Sequence, residues 1–329
     1  MPSKLGVHIN FITEADAMRD FILNARPVVV KTLHHDAVFW EEVKAEYPEL
    51  LLIGRRFEEN QRLSDPTGEA EAMARRILDM STAHICDAWE GYNAIPRSKL
   101  KPRCHFDRRL AELLHEEGLK YVAGSWSVGV PDIPDWQEPE MLDALRVADY
   151  VGVHEYCAPR MDDPRGFDPP DIGWFTLRYR QIWDVISPSL INPPEILISE
   201  CGIDSGAAHW DPGAQGGWRS FTEAQGYLEQ LVWYDQILRQ DDYVAGATIF
   251  CWGTLDPTWD TFDIRGEMVE LLANYLKEQA QPLPPPPLPG GLEGLRARIA
   301  ELEEENALLS QQLADVQARI QEALRALSG

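Results

Sequence analysis

Eight times in succession a short apolar run is followed by a stretch of helical period, and no other feature limits the fold of this chain as strongly. The first four pairs are Leu5 to Asn10 with Glu14 to Asn24, Pro27 to Leu33 with Asp36 to Glu46, Leu50 to Phe57 with Gly68 to Met80, and Ile85 to Asn93 with Phe106 to Glu117. The second four are Lys120 to Val128 with Pro139 to Val147, Tyr150 to Tyr156 with Phe175 to Ile186, Ile196 to Glu200 with Thr222 to Arg239, and Ala245 to Trp252 with Glu267 to Glu278. Pro48 stops the second helix and Gly118 the fourth. Eight pairs in residues 1–280 match the count and length of a (β/α)8 TIM barrel, an α/β fold. An open doubly wound sheet competes, but no glycine-rich phosphate turn follows the first strand.

Two further segments follow the barrel. Residues 281–291, Gln-Pro-Leu-Pro-Pro-Pro-Pro-Leu-Pro-Gly-Gly, prefer extended polyproline II and read as a semi-rigid linker. Residues 292–329 read as a C-terminal coiled-coil helix. Leu295, Ile299, Leu302, Asn306, Leu309, Leu313, Val316, Ile320 and Ala323 alternate in steps of four and three, the seam of a coiled coil. Self-association through residues 292–327 is expected. Asn306 at an a position favours a dimer, and the mixture of Leu, Val and Ile is compatible with a trimer.

Charge narrows the partners. The sequence holds 54 acidic against 30 basic residues, a net charge of −24. That balance disfavours nucleic acid, whose phosphates require Lys and Arg, and an anionic membrane surface. A neutral partner fits it better, and a polysaccharide is one such partner. The N-terminus, Met1 to His8, lacks the apolar core of a secretory signal, and no run of about 18 apolar residues occurs. A cytoplasmic location is expected on that ground, with a secreted or particle-associated one compatible. Cys86, Cys104, Cys157, Cys201 and Cys251 have neither metal-site nor disulfide-framework spacing. A reducing compartment suits them. His34-His35-Asp36 is a candidate zinc cluster, but the first strand offers only Val7-His8-Ile9-Asn10 where barrel metalloenzymes carry His-x-His. No metal and no cofactor are expected.

Four strand ends carry polar groups toward what would be a shared mouth, the place where such barrels build active sites. They are Trp89-Glu90-Gly91-Tyr92-Asn93-Ala94-Ile95-Pro96, Val153-His154-Glu155-Tyr156, Ile198-Ser199-Glu200-Cys201-Gly202 and Phe250-Cys251-Trp252-Gly253. Together they resemble the fourth, sixth, seventh and eighth strands of clan A glycoside hydrolases, with family 39-like enzymes nearest in motif. The resemblance implies a retaining glycosidase, which needs a carboxylate nucleophile and a second carboxyl group about 5–5.5 Å away as acid/base. Glu200 matches the nucleophile, and Asn93 the residue that binds the sugar 2-hydroxyl. Ala94 stands where the acid/base Glu belongs. His154 or Tyr156, and Arg55 or Arg56, would hold the Glu200 carboxylate ionised. Trp252 would floor the sugar site. Trp126, with Trp136, Trp174, Trp210, Trp218 and Trp259, would add aromatic surface around the cleft. Each assignment has a plainer rival: a strand-end Glu is often a salt-bridge partner, and a strand-end Trp is often core.

Ala94 admits three explanations. It is a deliberate Glu→Ala change in an active hydrolase, the mark of a natural glycan-binding pseudoenzyme displayed on a coiled-coil stalk, or a sign that Glu90 has taken over the acid role. Strand alternation puts 90, 92 and 94 on one side, yet Glu90 lies about 13 Å before 94 along the strand. That is too deep for the acid, so Glu90 is expected to orient Asn93 or an arginine from below. The intact remainder of the motif set favours the first explanation. Without an acid at 94, activity on natural glycosides is expected to fall on the order of 10²–10⁴-fold.

Overall fold

The computed structural model describes residues 2–12, 14–168, 173–206, 215–254 and 256–280. The chain divides into two units, Met1–Ala280 and Gln281–Gly329. The proline-rich linker, the heptad segment and Trp210 lie outside the described residues.

Runs rich in Val, Ile and Leu form eight strands: β1 (Leu5–Ile9), β2 (Val29–Thr32), β3 (Leu51–Arg55), β4 (Ala88–Glu90), β5 (Lys120–Trp126), β6 (Tyr150–Tyr156), β7 (Glu195–Gly202) and β8 (Val244–Trp252). Each pairs in parallel with the next, and β8 returns to β1, closing the barrel. The amphipathic stretches form α1 (Ala15–Ala25), α2 (Ala37–Glu46), α3 (Pro66–Leu78), α4 (Leu100–Glu116), α5 (Pro139–Leu145), α6 (Arg178–Ile186), α7 (Ala224–Leu238) and α8 (Glu267–Ala280). Local chemistry sets their ends. Asp36 and Asp65 accept from the backbone N–H groups of Phe39 and Gly68, satisfying donors that a helix start leaves free. Gly118 takes the left-handed conformation after α4, at φ 74°. That helix begins six residues before the sequence reading placed it, because Pro102 is tolerated in a first turn and does not break it.

Alternation along the strands builds the interior in layers. Val29, Ile53, Ala88, Val122, Tyr150 and Leu197 pack into an apolar plug inside the barrel. Two residues further along three of these strands stand Lys31, Arg55 and Glu90, on the same inward face but one step nearer the mouth. All three are buried. Leu5, Val7 and Ile9 belong instead to the large cluster shared with the helices.

The alternation breaks at three strand tips. One extra residue intervenes at Ser125 of β5, Ser199 of β7 and Cys251 of β8, where the pairing registers slip. Such bulges re-aim the side chains that follow. Strand β4 is also far shorter than the sequence reading gave, with Tyr92 already beyond it. Tyr92 does not share a side with Glu90: its ring stacks on Phe106 of α4 at 4.4 Å, and its hydroxyl donates to Glu69 of α3.

Candidate active site

Glu200 faces inward across the seventh-strand bulge. Val153 pairs with Ile198 and His154 with Glu200, so Ser199 is the extra residue. Beyond it Gly202 has φ 150°, and a Cβ there would lie 2.6 Å from the Tyr227 hydroxyl, so only glycine fits. The Glu200 carboxylate accepts from Tyr156 Oη at 3.1 Å and from Lys31 Nζ at 3.2 Å. His154 Nδ1 lies 3.4 Å from one carboxylate oxygen and His8 Nδ1 3.7 Å from the other. Burial alone would raise this carboxyl group, but His154, Lys31, His8 and Arg55 overturn that and hold it well below the usual carboxylate range. Burial also lowers His154, to about 4, and holds His8 well below its usual value, so both rings are neutral at pH 7. The full charges facing Glu200 at neutral pH are those of Lys31 and Arg55. Tyr156 keeps its proton, since burial and then Glu200 push it well above its ordinary value.

Glu90 lies beneath, wholly buried, with Lys31 Nζ 2.9 Å from its Oε2. It is therefore too deep to touch a substrate, and its ion-pair partner is neither Asn93 nor an arginine, as the sequence reading expects, but Lys31, which it orients beneath Glu200. Lys31 and His8 were not singled out from the sequence. The signal for Lys31 was present, a lysine inside Val28-Val29-Val30-Lys31-Thr32, because lysine is almost never fully buried unless paired.

Across the mouth, the chain after β4 is clamped. Gln61 accepts from the Asn93 backbone N–H and donates to its carbonyl at 2.9 Å. Ala94 donates its N–H to the Ser125 carbonyl at 2.9 Å and takes a left-handed φ of 53°. From below, the buried pair Arg103–Asp107 of α4 holds the Tyr92 carbonyl through Arg103. Asn93 Oδ1 has no partner. Asn93, Ala94, His154, Tyr156 and Glu200 line one cleft of about 570 Å³, with Asp204, Ser127, Val128, Phe175, Phe250, Trp259 and Phe262.

Three other assignments are corrected. Trp252 is buried with its ring 5.3 Å from Phe21 of α1, outside the barrel. The Phe250–Cys251 peptide is cis and the register slips there, so Phe250 faces the cleft instead. Trp126 follows the Ser125 bulge and lies under the Arg103 guanidinium, on the helix side. Arg56 turns outward to Glu58 at 2.9 Å, leaving Arg55 as the buried cation. Among the other loop tryptophans, Trp136 and Trp218 are core, whereas Trp259 is 42% exposed and lines the cleft. Trp174 is exposed and lies outside that lining. Asp204, on the loop after β7, was missed because no motif marks it. Burial raises its carboxyl above the usual value, and Glu200 adds to this.

His35 and Asp36 have structural partners: the His35 ring lies between Thr82 Oγ1 and the Arg55 carbonyl, and Asp36 caps α2. Among the described residues no three His, Cys, Asp or Glu side chains converge as a metal site. Nor, among them, is any helix long and apolar enough to cross a membrane.

Residues 281–326 match the family described as "Lin0124 C-terminal coiled-coil domain". No curated protein matches the chain. A Faecalibacterium prausnitzii β-glucuronidase is similar in structure, with 13% identity and a TM-score of 0.54, over 84% of this chain and 49% of that one. A GH2 β-galacturonidase from Eisenbergiella tayi bound to galacturonate gives 13% and 0.55, over 84% and 51%. A Ruminococcus gnavus β-glucuronidase in complex with uronic deoxynojirimycin gives 10% and 0.53, over 84% and 50%. The chain spans about half the length of these proteins. At such identities the likeness is one of fold: the chain is a (β/α)8 barrel of the kind seen in these glycoside hydrolases, followed by a coiled-coil segment.

Proposed function

We propose that the barrel is the carbohydrate-acting part of a retaining glycoside hydrolase-like protein, with Glu200 as nucleophile and Ala94 in the acid/base place. The observation that carries this is the Glu200 carboxylate, ionised at neutral pH and open to a cleft whose far rim is Asn93–Ala94. A glycoside seated there would take the carboxylate oxygen at its anomeric carbon, with its 2-hydroxyl donating to Asn93 Oδ1. The leaving oxygen would receive no proton from Ala94, so natural substrates would react slowly and activated ones less so. The otherwise complete set around Glu200 supports an altered residue at 94.

Ala94→Glu is expected to raise turnover of β-glycosides on the order of 10²–10⁴-fold, and azide to rescue the Ala94 protein partly on substrates with good leaving groups. Unchanged turnover in both experiments across a β-glycoside panel would remove the acid/base assignment.

The coiled-coil match favours a second reading, a glycan-binding head that does not cut. Several heads on one stalk, joined through residues 292–327, would gain avidity without new contacts. Glycan binding that stays free of turnover even in Ala94→Glu supports it, and sedimentation of the full chain as a monomer would count against it.

A further inference from the structure

The charges that reach the cleft are of one sign. Glu200 and Asp204 both line it, and among its described lining residues none is lysine or arginine. Lys31 and Arg55 lie beneath Glu200, where their charge answers the carboxylates of Glu200 and Glu90. Asp204 differs: its carboxylate accepts from the Gly206 backbone N–H at 2.8 Å, and no cation lies within ion-pair distance of it among the described residues. Burial and the neighbouring Glu200 both make its negative form unfavourable, a condition that a cationic ligand would relieve. A second observation points to a ligand. His154 is almost wholly buried, lines the cleft, and its Nε2 has no hydrogen-bond partner. The lining also carries an aromatic patch, with Trp259 5.4 Å from Phe250 and 5.3 Å from Phe262. Such a patch suits the apolar face of a pyranose ring.

We infer that the cleft takes a hexosamine glycan with free amino groups, its ammonium paired with Asp204 and its ring against Phe250 and Trp259. The inference rests on the carbohydrate reading of the site and narrows it. It also separates this cleft from a uronate site, since a sugar carboxylate would face two carboxylates with no cation among the described lining residues. The net charge of −24 adds a long-range field of the right sign.

The test is equilibrium binding of the full chain to four oligosaccharide ladders of equal length at mildly acid pH: β-1,4-glucosamine, its N-acetylated form, β-1,4-glucose and galacturonate. The glucosamine ladder is expected to bind about tenfold or more tighter than the acetylated one, the size of one charge-assisted hydrogen bond. Because an acidic chain draws any polycation, Asp204 variants decide the matter. Asp204→Asn is expected to abolish the preference while keeping affinity for the acetylated ladder, and Asp204→Glu to retain much of it. A preference that survives in Asp204→Asn, equal binding of all ladders, or tighter binding of galacturonate overturns the inference and leaves the carbohydrate reading standing. Failure to bind any ladder removes both.

Discussion

Glu155 and Glu200 stand on adjacent strands, both in the barrel wall and both buried, yet their acidities move in opposite directions. Glu200 faces inward, where Lys31 and Arg55 bring full positive charges against it, and its carboxyl is held low. Glu155 faces outward, toward the start of α6. It accepts from the N–H groups of Leu177 and Tyr179, both at 2.8 Å, and from the Tyr234 hydroxyl at 2.6 Å. Burial there outweighs those donors and the nearby Arg178, and raises the group to about 7. The lesson is that dipoles satisfy a buried carboxylate geometrically but do not match a cation electrostatically. The inner face therefore keeps a charged group at the cleft, and the outer face uses the same residue type to tie a helix to a strand.

The largest test of that contrast removes the cation. Lys31→Met leaves two buried carboxylates without their shared partner and is expected to lower the unfolding free energy by about 3–5 kcal/mol in urea titrations. Adding Glu90→Gln should recover part of this, because the lysine and both carboxylates form one coupled set. A loss below about 1 kcal/mol would place the compensation elsewhere.

On the outer face, Glu155→Gln presents an amide NH₂ to donors that need an acceptor. We expect a loss of about 1–3 kcal/mol at neutral pH, with faster hydrogen exchange at Leu177 and Tyr179. Unchanged exchange there would refute the helix-tying role.

The pH dependence sharpens the comparison further. Burial lifts Glu155 to about 7 in the folded chain, against about 4.3 when unfolded. Its protonated form thus favours folding: the contribution is complete below about 4.3 and is lost as pH rises through about 7. The stability of the parent chain minus that of Glu155→Gln should fall with pH across that window, by at most about 1.4 kcal/mol per unit. His154 acts with the other sign. Burial holds it down to about 4, so its contribution is present above the unfolded value of about 6.5 and is lost as pH falls toward about 4. A parent-minus-variant difference that rises with pH would reverse the assignment at Glu155.

The smallest effect belongs to Arg56. It is paired with Glu58 at the surface, so Arg56→Ala should change stability by no more than about 0.5 kcal/mol and leave ligand binding unaltered. A marked loss of binding would return it to the site.

How much of this was legible in the sequence follows from what repeats and what does not. The eight strand–helix units were plain, because apolar period is a collective signal that survives boundary errors such as the early start of α4. Glu200, His154, Tyr156, Asn93 and Ala94 stood in short motifs at strand ends, and the fold brings them to one cleft. Trp126, Trp252 and Arg56 were misplaced for a geometric reason. Resemblance and the number of aromatics near the mouth point to Trp252 and Trp126, but neither carries the register slips at Ser125 and Cys251 that turn these rings outward in β5 and β8, and Arg56 is the outward neighbour of an inward arginine. Glu90 lies as deep as strand spacing implies, whereas its partner Lys31 sits in an apolar run whose strand pattern is the stronger signal. Asp204 had no pattern to announce it.

The Ser199 insertion has a genetic corollary. Removing that one codon would restore plain alternation, with Ile198 still outward and Glu200 still inward opposite His154, so the extra residue bends the strand tip without being needed to aim the carboxylate. Relatives aligned without a gap at β7 would equate a residue of the cavity with one of the packing layer, and their chemistry would be misjudged accordingly.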